Sequence, residues 1–169
     1  MKIHQRHMLR SNDIKDLKEE VKQEYGSENA NAIFKKKSNV ELIKLEDRQE
    51  LIAVNNKLAF WKKDNRYIPL LTILIEPDIG FNMKYVTVDK GAIRFVTNGA
   101  DIMRPGITEI DPSIRKGDLV RVQDEMHNQA LAVGKAKFDA EEMEKMETGK
   151  VIDNIHTITD DIWEFSKTF

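Results

Sequence analysis

The sequence predicts an α+β protein, with an N-terminal α+β domain over residues 1–80 and a small β-barrel with short helices over residues 81–169. Three observations lead to this prediction. Before residue 30 apolar residues recur at helical spacing, and after residue 40 they gather in short runs separated by turn-forming residues. A Glu-Pro-Asp-Ile-Gly segment at 76–80 then interrupts the pattern, which indicates a domain junction.

The first predicted element is an amphipathic helix over residues 11–26. Its apolar residues return at steps of three and four: Ile14, Leu17, Val21 and Tyr25. The polar residues from Ser11 to Asp13 are expected to cap its first turn, and Gly26 is expected to end it. A second short helix is predicted over Ser27–Phe34.

Short strands are predicted to follow these helices. The apolar runs Val40–Leu45, Glu50–Val54 and Leu58–Trp61 are typical of antiparallel strands. Asn55-Asn56 predicts a tight turn, because asparagine adopts positive φ at little cost. The longer apolar run Ile68–Ile75 is predicted to be a strand that completes the first domain.

The second half is predicted to consist mostly of short strands separated by turns, which is typical of a small barrel. One short helix is expected over Gly91–Asn98. Another is expected to begin at Asp139, with Asp139 and Glu142 as a capping box and Gly149 as the stop. The predicted strands are Tyr85–Val88, Gly117–Gln123, Ala130–Phe138, Val151–Ile158 and Ile162–Phe165.

The charges along the chain are nearly balanced. Lys and Arg number 27 against 29 Asp and Glu, so the net charge of -2 draws the whole molecule to neither nucleic acid nor anionic membrane. Residues 81–138 carry 9 basic and 7 acidic side chains, whereas residues 139–169 carry 3 and 9. A binding site for a polyanion is therefore expected to be a local groove on the body of the barrel.

Several classes of function lack their characteristic residues. The chain has no cysteine, and His4 and His7 have no third ligand nearby, so we predict neither a metal nor another cofactor. The sequence contains no nucleophile elbow, Walker loop or dinucleotide fingerprint, and we predict that the protein is not an enzyme. The polar start and the absence of an apolar run of ~20 residues predict a cytoplasmic protein without a membrane partner.

The clearest candidate site lies between Val88 and Ile107. A strand there leads into a short helix that opens with Gly91-Ala92, and small residues in a first turn let an anion approach free backbone N–H groups. Three basic residues surround this turn: Lys90, Arg94 and Arg104. The pattern predicts a phosphate site, although glycines also serve turns, and arginines also serve solvated surfaces, without any ligand.

The same segment resembles the PUA domain, an RNA-binding module named for pseudouridine synthases and archaeosine transglycosylases. The resemblance rests on the order of Gly91-Ala92, Gly99-Ala100 and Pro105-Gly106-Ile107, and on Ala130–Gly134 and Asn154–His156 as later strands. It implies a PUA pseudobarrel over residues 81–169 whose first helix, adjoining strand and one late strand face RNA. The residues that it nominates are Gly91, Ala92, Arg94, Gly99, Ala100, Asp101, Arg104, Pro105, Gly106, Ile107 and His156, with Lys90 beside them.

The first half is similar to the pre-PUA domain of the malignant T-cell amplified sequence family, which is related to ligatin-type translation factors. The similarity rests on Leu58–Lys63 and Tyr67–Leu71 and identifies the chain as an archaeal-type member. It implies a role in translation initiation or ribosome recycling, with tRNA or rRNA and the small ribosomal subunit as partners. It also implies a protein partner resembling density-regulated protein.

A second candidate surface for RNA or a partner lies in the first half. Lys62, Lys63 and Arg66 alternate with Trp61 and Tyr67, a mixture of basic and aromatic residues that favours nucleic acid. A solvated surface would produce the same pattern.

Three functions are thus open at the level of sequence. The first is an RNA-binding protein of the translation apparatus that acts through the PUA domain. The second is a protein-interaction adaptor, which the balanced charge and the acidic C-terminal segment favour. The third is a targeting module for a separately encoded RNA-modification enzyme.

Overall fold

The computed structural model describes all 169 residues, and the chain forms two compact units. The first comprises Met1–Asn82 with Phe165–Phe169, and the second comprises Met83–Glu164. That residues 1–80 and 81–169 fold as two independent domains stays a prediction. None of the helices is both long and apolar enough to cross a bilayer.

The first unit is built on a five-stranded antiparallel sheet whose strands are neighbours in chain order. The predicted strands around the Asn55-Asn56 turn are confirmed, and both asparagines have positive φ, 49° and 63°. An additional strand forms at the polar N-terminus, where the sequence indicated none. The strands are β1 (Ile3–Met8), β2 (Val40–Leu45), β3 (Glu50–Val54), β4 (Lys57–Lys63) and β5 (Arg66–Pro69).

Two helices of the first unit occupy the predicted positions. They are α1 (Ser11–Tyr25) and α2 (Ser27–Ile33), separated by Gly26 at φ 94°. The predicted cap is wrong, because Ser11 already belongs to the helix and Arg10 precedes it without a side-chain cap. Leu17 and Val21 are buried, so the apolar stripe of α1 faces the core of this unit.

The predicted strand Ile68–Ile75 is wrong beyond its first residues. Strand β5 ends at Pro69, and Leu71–Leu74 form the one-turn helix α3. Leu71, Ile73 and Leu74 are all buried. A continuous apolar run does not distinguish a buried strand from a buried helical turn, and proline at the sheet edge ends the ladder.

The second unit contains a six-stranded sheet in the order β7-β11-β10-β9-β6-β8. Strand β6 runs parallel to β9, and the other neighbours are antiparallel. A single 3₁₀ turn, Arg104–Gly106, joins the two edge strands, so the sheet curls into a nearly closed barrel. The strands are β6 (Tyr85–Val88), β7 (Ile102–Met103), β8 (Ile107–Ile110), β9 (Leu119–Asp124), β10 (Ala130–Ala136) and β11 (Lys150–Thr157).

Strands β6, β9, β10 and β11 confirm four of the five predicted strands of this half to within two residues at either end. The fifth, Ile162–Phe165, is wrong, because these residues lie in helix α6 (Asp161–Ser166). Asp160 starts this helix: its Oδ1 accepts a hydrogen bond of 2.7 Å from the Trp163 N–H. Asp160 and Asp161, which precede Ile162 and Trp163, thus lie at the start of a helix. The strand prediction had required them to form a hairpin turn.

The short helices lie beside the barrel. A 3₁₀ turn, Lys90–Ala92, leads into α4 (Ile93–Thr97), and Gly99 follows with φ 90°, which confirms the predicted helix and its stop. Helix α5 (Ala140–Lys145) also forms, but Asp139 does not cap it through its side chain. The Asp139 carboxylate instead accepts the Lys116 N–H at 2.8 Å.

Candidate nucleic-acid interface

A groove of about 720 Å³ lies on the second unit beside α4. Five of its thirteen lining residues are glycine or alanine, and the larger ones include Phe95, Ile102, Met103 and Lys150. Gly106 and Ala92 lie close together there, since a Cβ added to Gly106 would be 3.1 Å from the Ala92 Cβ. The nominated residues that line the groove are Gly91, Ala92, Gly99, Ala100, Asp101, Pro105 and Gly106.

The N–H groups at the start of this helical segment are already occupied by carboxylates. Asp89 Oδ1 accepts from the Ala92 N–H at 2.9 Å, and Glu125 Oε1 accepts from the Lys90 N–H at 3.2 Å. Two carboxylates at this position repel a phosphate, and the dipole of the five-residue α4 is small. The N–H groups of Lys90 and Ala92 are therefore not free for a phosphate, and an anion site at the helix start stays a prediction.

The rim of the groove combines an aromatic ring with cationic side chains. Phe95 is 54% exposed, and the Arg94 guanidinium lies 4.8 Å from the centre of its ring. On the other side, Lys150 Nζ lies 3.7 Å from Asp101 Oδ2, next to the exposed Met103. Such a surface suits unpaired bases, which stack on aromatic rings and guanidinium planes.

Neither Phe95 nor Lys150 was among the residues predicted from the sequence. The helical spacing could have indicated Phe95: Val96 faces the core, and adjacent residues of a helix point in different directions, so Phe95 must face away from the core. Lys150 offered no comparable signal, because it is 45 or more positions away from every other basic residue of the groove region. It reaches the groove because β11 pairs with β7.

Three nominated side chains do not face the groove. Arg104 donates from Nε to the Met143 carbonyl at 2.6 Å and from Nη1 to the Ile107 carbonyl at 3.1 Å. Ile107 is buried in the barrel core. His156 is 1% exposed, and its Nδ1 lies 2.7 Å from Asp160 Oδ2. These contacts support the barrel and hold the three side chains away from the groove lining, so that RNA contact by them stays a prediction. Lys90, by contrast, is exposed near the groove.

Strand β11 and the turn after it hold α4 and the residues that follow α4 in place through polar side chains. Asn154 Nδ2 donates to the carbonyls of Val96 and Ala100, both at 3.0 Å. Thr157 Oγ1 donates to the same Val96 carbonyl at 3.0 Å, and Thr159 Oγ1 donates to the Thr97 carbonyl at 2.6 Å. The last carbonyl groups of a helix otherwise need water or a cap. These contacts therefore position one wall of the groove, a role that the sequence did not reveal.

Asp160 anchors the segment that follows β11. Burial by itself would raise the pKa of this carboxyl group, but the hydrogen bond and charge of His156 and the N–H groups of Trp163 and Thr157 outweigh it. The net effect is that the pKa of Asp160 is lowered. The carboxylate is thus kept ionised as the centre of a small hydrogen-bonded network.

The second candidate surface lies on the β4–β5 hairpin of the first unit. Lys63 Nζ is 4.6 Å from the centre of the Trp61 ring, and Lys62 Nζ is 5.8 Å from the centre of the Tyr67 ring. Arg66 is engaged differently, because its Nε donates to Glu24 at 2.9 Å. The structure therefore leaves Lys62 and Lys63 exposed on this hairpin, with Lys62 Nζ 3.9 Å from Glu50 Oε2, whereas Arg66 is held in an ion pair with Glu24.

Known proteins resemble the chain over almost its whole length. The Pre-PUA-like domain matches residues 1–76, and the PUA domain matches residues 84–158. An uncharacterised protein of Methanocaldococcus jannaschii is 41% identical over 98% of this chain and 99% of its own. Translation machinery-associated protein 20 of Saccharomyces cerevisiae is 33% identical over 97% of this chain and 94% of its own.

Two further similarities agree with these matches. Malignant T-cell-amplified sequence 1 of Rattus norvegicus is 33% identical over 95% of this chain and 90% of its own. The crystal structure of a hypothetical protein from Pyrococcus horikoshii is 32% identical, with a TM-score of 0.84 over 96% of this chain and 99% of that one. The resemblance predicted from the sequence is confirmed: the chain belongs to the family of pre-PUA and PUA domain proteins that includes malignant T-cell-amplified sequence 1 and translation machinery-associated protein 20.

Proposed function

We propose that this protein binds RNA of the translation apparatus, either tRNA or the rRNA of the small ribosomal subunit, through the groove beside α4. The proposal draws on the PUA domain and on the yeast relative, whose name associates it with the translation machinery. Initiation or recycling is the step in which we expect it to act, and the cytoplasm is the expected location.

The observation that carries this proposal is the exposed Phe95 ring beside Arg94 at the rim of a groove lined by small residues. An unpaired base stacks on such a ring, and the adjacent guanidinium attracts the phosphates that flank the base. The small residues at Gly99 and Ala100 leave room for a ribose against the backbone. The groove is therefore suited to an unpaired or terminal RNA segment more than to the outside of a duplex.

Phe95→Ala tests this proposal directly. Stacking of one base on an aromatic ring contributes about 1–3 kcal/mol, so affinity should fall by about 5- to 150-fold. Binding of labelled unfractionated tRNA and of purified small subunits would be measured by fluorescence anisotropy and cosedimentation. Met126→Ala is the matched control, because Met126 is 64% exposed on the β9–β10 hairpin and does not line the groove. Unchanged affinity of Phe95→Ala for both RNAs would refute the proposal.

A second candidate function is that of an adaptor that recruits a partner resembling density-regulated protein. The observation that favours it is β1, an edge strand with all six side chains exposed. Ile3 and Met8 on this strand are large exposed apolar residues, and an open edge accepts a further strand from a partner. Affinity purification after nuclease treatment would retain such a partner from the wild type and lose it from an Ile3→Lys/Met8→Lys variant. Loss of every partner after nuclease treatment would contradict this function.

A further inference from the structure

A second hollow on the PUA unit, the lysine groove, is defined by Lys116, Lys135 and Lys137. It measures about 640 Å³ and lies where β10 ends, next to the loop before β9. Asp153 is the one carboxylate in its lining, so the groove carries more positive than negative charge. Phe138, which is half-buried, contributes an aromatic ring to the same lining.

The three lysines have fixed backbones. Lys135 is paired with Asp153 in the β10–β11 ladder, and the Lys137 N–H donates to the Val151 carbonyl at 2.9 Å. The Lys116 N–H donates to Asp139 Oδ1 at 2.8 Å. The positions from which the side chains extend are therefore set by the barrel.

None of the three ammonium groups forms an ion pair within 4.0 Å, unlike several other cations of this unit. Lys84 pairs with Asp118 at 2.7 Å, and Lys150 with Asp101 at 3.7 Å. Unpaired lysines gathered around one hollow favour a ligand with several negative charges, and lysine binds phosphate as a compact point charge.

The position of the lysine groove favours an RNA backbone as this ligand. Strand β11 carries Lys150 of the first groove and Asp153 of the lysine groove, only three residues apart. At a rise of ~3.3 Å per residue this separation is roughly 10 Å along the strand. A short stretch of unpaired RNA backbone can span this distance.

We propose that the lysine groove binds backbone phosphates of the same RNA that occupies the groove beside α4. This inference rests on the proposed function and extends it, because it adds a contact that is independent of sequence and strongly dependent on salt. The first groove holds bases and riboses, and the lysine groove holds phosphates of the neighbouring backbone.

The test compares the full-length wild type with a Lys116→Ala/Lys135→Ala/Lys137→Ala variant. Binding to labelled unfractionated tRNA and to purified small subunits is measured over a range of KCl concentrations. The matched control is Lys2→Ala/Lys15→Ala/Lys22→Ala, which removes three exposed lysines of the first unit and changes the net charge equally. Circular dichroism confirms that each variant is folded.

The lysine-groove variant should bind on the order of tenfold or more weakly at low salt. The slope of log K against log salt concentration should become shallower by about 2 to 3, since each phosphate contact contributes ~0.7–0.9. The control variant should keep the wild-type affinity and slope.

Equal weakening in the two triple variants would overturn the proposal, because net charge alone would then explain the effect. Unchanged affinity and slope in the lysine-groove variant would also overturn it. An acidic protein segment would then be the remaining candidate ligand of the lysine groove. If Phe95→Ala weakens binding while the lysine-groove variant does not, the proposed function stands and this inference fails. A wild type that binds neither RNA would overturn both.

Discussion

Any side chain at Gly134 should destabilise the barrel, because β10 and β11 approach each other closely at this residue. A Cβ added to Gly134 would lie 2.8 Å from the Asp153 carbonyl oxygen and would overlap Ile152 Cγ2. Ordinary contacts between such atoms need about 3.5 Å or more, and a carbonyl oxygen cannot rotate away as a side chain does. The two strands would have to separate at the bulge next to Gly134. We expect Gly134→Ala to lower the unfolding free energy by roughly 2–4 kcal/mol.

The loss is measurable by urea unfolding followed by tryptophan fluorescence. The chain has two tryptophans, Trp61 in the first unit and Trp163 in the second, so a Trp61→Phe background reports on the second unit. Gly91→Ala is the control, because its added Cβ would lie 3.5 Å from Asp89 Oδ1, an ordinary contact. We expect that control to change stability by less than about 0.5 kcal/mol. Equal stability of Gly134→Ala and wild type would refute the steric argument.

Further substitutions separate residues that hold the barrel together from residues that face RNA. Asn154→Ala removes the hydrogen bonds to the Val96 carbonyl in α4 and to the Ala100 carbonyl after it, so it should cost about 1–2 kcal/mol of stability in urea unfolding and weaken tRNA binding. The pKa of Asp160 is lowered in the folded protein, so its contribution to stability is complete above the usual carboxyl value of ~3.9 and is lost as pH falls through the lowered pKa. Asp160→Asn should therefore cost more stability at neutral pH than in acid, and an equal cost in both would contradict this. Arg104→Ala should lower the melting temperature, because two backbone carbonyls lose their hydrogen-bond donor. Arg94→Ala should leave the melting temperature unchanged and weaken RNA binding. The reverse pattern would contradict both assignments.

Short-range patterns predicted those elements whose cause is local. The Asn55-Asn56 turn, the α1 stripe and the Gly99 stop each follow from the conformational preference or spacing of a few adjacent residues. The errors arose where the same residues fit two structures. Ile68–Ile75 and Ile162–Phe165 are apolar runs that a strand or a helix can bury equally well, and Pro69 and Asp160 decided between them.

The sequence by itself determined the two domains' family, most of their strands and helices, and the small residues that line the groove. Only the tertiary structure decided which charged groups reach that groove. Glu125 meets the Lys90 N–H across 35 positions, and Arg104 turns toward Met143 across 39, because strand pairing brings distant segments together. Lys150 reaches the groove for the same reason, because β11 pairs with β7. Spacing along a chain specifies local conformation, whereas a side chain's partner depends on which strands become neighbours, and that is settled only when the whole barrel closes.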